Sequence, residues 1–105
     1  MAANGDNSAL FAPLTLGGSG GSIVLNHRIV LAPLTRDKTT EPALTPKDIV
    51  CEYYAQRATK GGLLISEATN VTPESLGYPS TPGIWSREQV AKWKAVTDAG
   101  HRDLP

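Results

Sequence analysis

Two polar residues, Thr35 and Arg36, follow directly on an apolar run that ends in a proline, Ile29-Val30-Leu31-Ala32-Pro33-Leu34. Pro33 has no N–H to give a ladder, so it marks the strand's carboxyl end. In open α/β sheets and (β/α) barrels, ligands bind in the loops at those ends. A rigid proline followed by a hydroxyl could hold a flat polar ligand there by backbone and side-chain contacts together. Spacing alone favours a plainer account, an ordinary strand stop with a solvated turn. Arg36 could face such a site or pair with a carboxylate such as Asp37 or Glu67, and surface pairing is the more frequent case. His27 and His101 have no metal-ligand company, and no His/Cys/Asp/Glu group has zinc spacing, so no metal site is expected. The glycines of Gly17-Gly18-Ser19-Gly20-Gly21-Ser22 could let backbone N–H groups approach an anion. They lack the spacing and the Lys-Ser/Thr ending of a P-loop, and no helix follows.

The elements that must position these residues are legible in outline. Leu10–Leu16 and Ile23–Leu25 read as short apolar strands, and the glycine-rich link between them as a hairpin loop. Arg28–Ala32 reads as a strand buried on both faces. A polar loop, 37–44, leads to a helix that Thr45 can cap, with Pro46 in its first turn and Asp48 completing the reciprocal cap. Ile49, Tyr53 and Arg57 share one face of it, with Val50, Tyr54 and Ala58 beside them. Gly61 sits where a left-handed carboxyl cap belongs, and Leu63-Leu64-Ile65 forms the next buried strand. Strand, helix, strand is a βαβ unit with parallel strands. A Pro/Gly-punctuated loop runs from Pro73 to Trp85. Ser86 then caps a second helix with Gln89 as its reciprocal partner, and Val90, Trp93 and Val96 form its buried stripe. This is the start of a wound α/β structure.

Length and composition set limits. The 105 residues make one domain at most, with Met1–Ala9, small and polar, as a disordered leader before a folded 10–105. Ten basic and ten acidic residues balance, which marks neither a nucleic-acid nor a membrane surface. A lone cysteine, Cys51, excludes an intramolecular disulfide and agrees with a reducing compartment. No run approaches the roughly 18 apolar residues of a membrane span, and the first residues lack a signal-peptide pattern. A cytoplasmic location is the expectation. Asn70-Val71-Thr72 matches a glycosylation sequon by chance.

Four stretches change the reading of the first one. Ala32-Pro33-Leu34-Thr35-Arg36, Glu52-Tyr53-Tyr54-Ala55-Gln56-Arg57-Ala58, Gly61-Gly62-Leu63-Leu64-Ile65-Ser66-Glu67-Ala68 and Gly77-Tyr78-Pro79-Ser80-Thr81-Pro82-Gly83-Ile84-Trp85 occur in order and at compatible spacing. Together they resemble the start of the old yellow enzyme family of flavin-dependent ene-reductases, closest to its 12-oxophytodienoate reductase-like branch. The resemblance runs from about residue 10 to about residue 98. It implies a (β/α)8 TIM barrel of around 250 residues, of which this chain supplies the floor hairpin and two β/α units. It further implies FMN, with NADPH as reductant and an α,β-unsaturated carbonyl, such as an oxylipin, as substrate. Pro33, Leu34, Thr35 and Ala68 match flavin-contacting positions; Tyr78 matches one at the substrate mouth, though read alone it is a loop anchor. No catalytic residue is carried over. The family's later His/Asn pair, proton-donating Tyr and phosphate-holding basic groups have no counterpart here, and the tail from Ala99 departs from the pattern. The chain is therefore expected to be truncated and inactive alone. The alternative is a non-enzymatic barrel fragment that self-associates through its open sheet edge or pairs with a complementary chain.

Overall fold

The computed structural model describes residues 8–102. Its first element pair is an antiparallel hairpin, β1 (Leu14–Leu16) and β2 (Ile23–Leu25), in the register Leu14–Leu25, Thr15–Val24, Leu16–Ile23. Gly17 turns the chain at φ 101°, a conformation that a side chain would strain. The Arg28 guanidinium donates to the Ala12 and Pro13 carbonyls at 3.3 and 3.1 Å, which fastens the approach to β1. Most of the expected leader, residues 1–7, lies outside the described residues, as do 103–105 of the divergent tail; Ser8 and Ala9 form a turn.

After the hairpin the order is β3 (Val30–Leu31), β4 (Thr39–Thr40), β5 (Thr45–Pro46), α1 (Asp48–Arg57), β6 (Leu63–Leu64), a 3₁₀ turn at Pro73–Ser75, and α2 (Arg87–His101). β3 and β6 are parallel, Val30 opposite Leu63 and Leu31 opposite Leu64, so the expected βαβ unit is present. No closed barrel exists among the described residues. No helix among them is long and apolar enough to cross a membrane.

The core is a patch between α1 and α2: Val50, Tyr54, Trp93 and Val96, with Leu31, Cys51, Tyr53 and Leu64 packed against it. Burying such side chains contributes about 1.5–3 kcal/mol each. The Trp93 indole N–H donates to the Gly83 carbonyl at 3.0 Å, which satisfies its one polar atom. Ser86 caps α2 as the sequence predicts: its hydroxyl accepts from the Gln89 N–H at 3.1 Å, and the Gln89 side chain answers to the Ser86 N–H at 3.0 Å.

Several expectations are corrected. The Arg28–Ala32 strand is only two residues long, and Ile29 and Val30 are exposed rather than buried on both faces, because β6 is β3's sole partner among the described residues. The polar loop at 37–44 and the helix cap at Thr45 are replaced by the β4–β5 hairpin, where Thr40 pairs with Thr45 and Thr39 with Pro46. Thr45 is thereby buried in a strand, and α1 begins at Asp48 behind Lys47 without a side-chain cap. Ile49 is exposed, since α1 meets α2 through Val50 and Tyr54. Gly61 does adopt a left-handed φ of 74°, but α1 ends at Arg57 and the glycine turns the chain into β6 instead. On α2, Val90 faces solvent at 51% exposure and Gln89 takes its place in the interior.

Candidate functional site

The parallel pairing decides where the candidate residues sit. The last bond between the two strands runs from the Ile65 N–H to the Leu31 carbonyl, 3.1 Å. Beyond it the chains continue as 32–36 and 66–68, so Pro33, Leu34, Thr35 and Ala68 all lie past the carboxyl ends of β3 and β6. The β1–β2 hairpin lies at the other end, where the Asn26 N–H donates to the Gly61 carbonyl at 2.8 Å just before each strand begins.

One side chain joins the two rim segments. Glu67, 3% exposed, accepts the Arg36 backbone N–H on Oε2 at 3.0 Å. Its own backbone N–H donates to the Tyr54 hydroxyl at 3.0 Å, and that hydroxyl lies 3.5 Å from Glu67 Oε1. Burial pushes the Tyr54 phenol above its ordinary 10.0, with the neighbouring Glu67 charge adding to the rise and the bond from the Glu67 N–H opposing it. In the sequence Glu67 stands in the Gly61–Ala68 stretch and as a candidate surface partner for Arg36, with no role of its own. Its burial and its contact with Tyr54 follow only from the parallel register, not from neighbouring residues in the sequence. The Arg36 guanidinium forms no ion pair with Asp37 or Glu67; it stands over the Tyr53 ring at 5.8 Å, with Arg57 on the same ring at 3.9 Å.

Pro33, Leu34, Thr35 and Ala68 are exposed. Among the described residues, neither the 33–35 backbone, the Thr35 hydroxyl nor the Ala68 backbone is engaged in a hydrogen bond. The rim thus offers an uncommitted hydroxyl and main-chain donors and acceptors beside the small apolar surfaces of Pro33, Leu34 and Ala68. That donor set fits in kind the edge of a flat heteroaromatic ring such as isoalloxazine, which needs polar partners at its rim and apolar cover on its faces.

Tyr78 lies on a separate loop, further along the chain than the 66–68 segment. It is 72% exposed on the 71–82 loop. The loop is anchored from below: Thr81 Oγ1 donates to the Tyr78 carbonyl at 2.9 Å, Thr39 Oγ1 to the Ser80 carbonyl at 2.9 Å, and Ser80 Oγ to Glu41 at 2.7 Å. The loop is closed at its base by Asn70, whose side-chain amide donates to Thr81 Oγ1 at 2.7 Å and to the Pro82 carbonyl at 3.0 Å. His27 is engaged in two hydrogen bonds with protein groups. Its Nδ1 accepts the Ile29 N–H at 3.2 Å, so Nε2 carries the proton and donates to Thr59 Oγ1 at 2.7 Å. No group of His, Cys, Asp and Glu that could hold a metal exists among the described residues.

Two hollows open beside β6, and of the two rim segments only Ser66 reaches either of them. The wider, about 830 Å³, has Leu63, Leu64, Ile84, Trp93 and Val96 in its floor. The second, about 430 Å³, lies between Phe11, Ile29 and Leu63. The second is mainly apolar, whereas the wider also has Lys60, Thr69, Thr97, His101 and Arg102 in its lining.

Residues 9–103 match the NADH:flavin oxidoreductase / NADH oxidase family. The chain is 51% identical over 82 residues to putative 12-oxophytodienoate reductase 4 of Oryza sativa subsp. japonica, an alignment covering 78% of this chain and 21% of that protein. It is 48% identical over 102 residues to putative 12-oxophytodienoate reductase 3 of the same plant, covering 97% of this chain and 26% of that protein. Flavin oxidoreductase hxnT of Emericella nidulans is 45% identical over 95 residues, 88% of this chain and 24% of that protein. The chain thus spans about a quarter of the length of these curated relatives.

Proposed function

The chain belongs to the NADH:flavin oxidoreductase / NADH oxidase family, and from that premise we propose that its 32–36 and 66–68 segments form the ring-facing part of an FMN site in an ene-reductase. The β1–β2 hairpin is then the floor of a (β/α)8 barrel, and β3–α1 and β6–α2 are its first two units. Bound there, FMN supplies hydride transfer, accepted from NADPH and delivered to the β-carbon of an α,β-unsaturated carbonyl. The chain's own residues hold and tune. The Thr35 hydroxyl hydrogen-bonds the ring edge and adjusts how readily the reduced ring gives up hydride. Pro33 and Leu34 present a rigid apolar surface, and Ala68 keeps its side of the rim low enough for a planar ligand to approach. Tyr78 belongs to the substrate mouth.

The observation that carries this reading is that both segments lie at one end of the parallel pair, with the Thr35 hydroxyl and the 33–35 and Ala68 backbone uncommitted among the described residues. On this reading the 105 residues by themselves hold flavin weakly and turn over no enone. Titration of FMN, followed by its visible absorbance, tests the site. Thr35→Val keeps the shape and deletes the hydroxyl, which weakens binding about fivefold, the worth of one hydrogen bond. Because Thr35 is exposed and unbonded, folding is unchanged. Identical titrations for the two proteins would remove Thr35 from the site.

A second reading rests on a separate observation: Ile29, Val30 and Ile65 are 51%, 40% and 44% exposed along the two-stranded sheet. An open apolar strand edge pairs with other chains. On that reading the chain is a non-enzymatic module that self-associates. Light scattering across a concentration series decides it, since a clean folded monomer contradicts it.

A further inference from the structure

The two rim segments leave the β3–β6 ladder after the Ile65–Leu31 bond, and past that point main-chain pairing no longer holds them together. Among the described residues one hydrogen bond crosses between them, from the Arg36 N–H to the Glu67 carboxylate. A buried carboxylate is costly unless its oxygens are satisfied. Glu67 spends its burial on a main-chain N–H one residue past Thr35, and its own backbone, one residue before Ala68, is fixed by the Tyr54 hydroxyl. Tyr54 is in turn held in the helix core, its ring 6.4 Å from that of Trp93. A chain of three fixed contacts therefore runs from the core to the two segments proposed to meet the flavin.

We infer that Glu67 is a positioning residue: braced by Tyr54, it holds the Thr35 segment against the Ala68 segment so that both meet the same flavin ring. The inference rests on the proposed FMN site and deepens it. Glu67 touches neither cofactor nor substrate and acts only through the backbone of Arg36 and its own. Sequence adjacency explains why a carboxylate is used rather than an apolar residue of similar size. The segment past Pro33 has no ladder partner, and a hydrogen-bond acceptor is what its free N–H needs.

The test uses the 105-residue chain and three variants, Glu67→Ala, Glu67→Gln and Tyr54→Phe, with two readouts. The first is amide hydrogen exchange of Arg36 and Glu67 without ligand. The second is the visible absorbance change of added FMN. Loss of a hydrogen bond to a charged group corresponds to about tenfold or more in a local opening equilibrium. Glu67→Ala should speed Arg36 exchange by at least about that factor and shrink the FMN absorbance change. Glu67→Gln, which retains an oxygen for the Arg36 N–H, should restore both. Tyr54→Phe should speed exchange at Glu67 and shrink the FMN change in part. If the Glu67→Ala chain does not fold, the Tyr54→Phe and Glu67→Gln comparison decides alone. Faster Arg36 exchange with an unaltered FMN change overturns the positioning role and leaves the FMN site standing. Unaltered exchange in both Glu67→Ala and Tyr54→Phe also overturns it. If the unmodified chain leaves the FMN spectrum unperturbed, the FMN reading fails and the positioning role falls with it.

Discussion

Gln89→Leu should cost this fold a large share of its stability. Gln89 is 0% exposed and ties together three parts of the chain. Its Oε1 accepts the Trp85 and Ser86 backbone N–H groups at 2.8 and 3.0 Å, and its Nε2 donates to the Ala43 carbonyl at 2.9 Å. It thus caps α2 and pins that cap to the turn between β4 and β5. Leucine is close in volume, so little cavity opens; the loss is polar. Each stranded backbone group costs about 1–3 kcal/mol when it cannot reach water. Three such groups, partly rescued by solvent at the loop, sum to about 3–5 kcal/mol. A domain of this size holds roughly 5–15 kcal/mol in all. Urea denaturation followed by far-ultraviolet circular dichroism gives the free-energy change, and tryptophan fluorescence reports Trp85 and Trp93 beside the lesion. Ala95→Gln, exposed on the same helix, is the control and should stay within about 0.5 kcal/mol. A Gln89→Leu cost below about 1 kcal/mol would mean that water replaces all three bonds, and the claim that this side chain holds α2 to the β4–β5 turn would be wrong.

Two further outcomes follow from other residues. The Tyr54 phenol has its folded-state ionisation raised above 10.0, chiefly by burial. Below the unfolded value the protonated form predominates in both states and its contribution to stability is complete. That contribution is lost as pH rises past 10.0 and through the folded value, because the unfolded chain ionises first. Stability measured by denaturation should therefore fall with pH above that point, and Tyr54→Phe should flatten the slope; equal slopes would refute the assignment. Gly61→Ala should destabilise by about 1–2 kcal/mol, since the residue has φ 74° and an added methyl would meet the Asn26 side chain. Thermal melting of this variant checks it, and an unchanged midpoint would show that the turn before β6 relaxes freely.

The parts of the fold that were legible in the sequence are those governed by neighbouring residues. The Ser86–Gln89 box needs only a four-residue window, and the glycine-rich link between β1 and β2 needs only its own composition. The misplaced start of α1 has the opposite cause. Thr45-Pro46 is a good local cap signal, but pairing of Thr45 with Thr40 outweighs it, and that pairing depends on a turn five residues away. The same limit hid the role of Gln89, whose third bond goes to Ala43, 46 residues upstream. At the site, the rim position of Thr35 follows from the proline stop. Its link to Glu67 does not, because 31 residues separate Glu67 from Arg36 and only the parallel register brings them together.

The distribution of burial separates what holds this chain together from what it offers to a ligand. Its buried apolar cluster lies between α1 and α2, whereas Pro33, Leu34, Thr35 and Ala68 contribute nothing to that cluster. Residues outside the core are free to be chosen for contacts with a partner, and at Thr35 and Ala68 the rim keeps polar groups uncommitted while the strands behind it are apolar. Ile29 and Val30 have the composition of a strand covered on both faces, yet both are exposed. Cover on those faces would therefore stabilise the strands without touching the rim. A loss of exposed apolar area at Ile29, Val30 and Ile65 on association should accordingly leave the FMN absorbance change intact. If association instead abolishes it, rim and strand faces are one surface and the division drawn between ligand site and packing face does not hold.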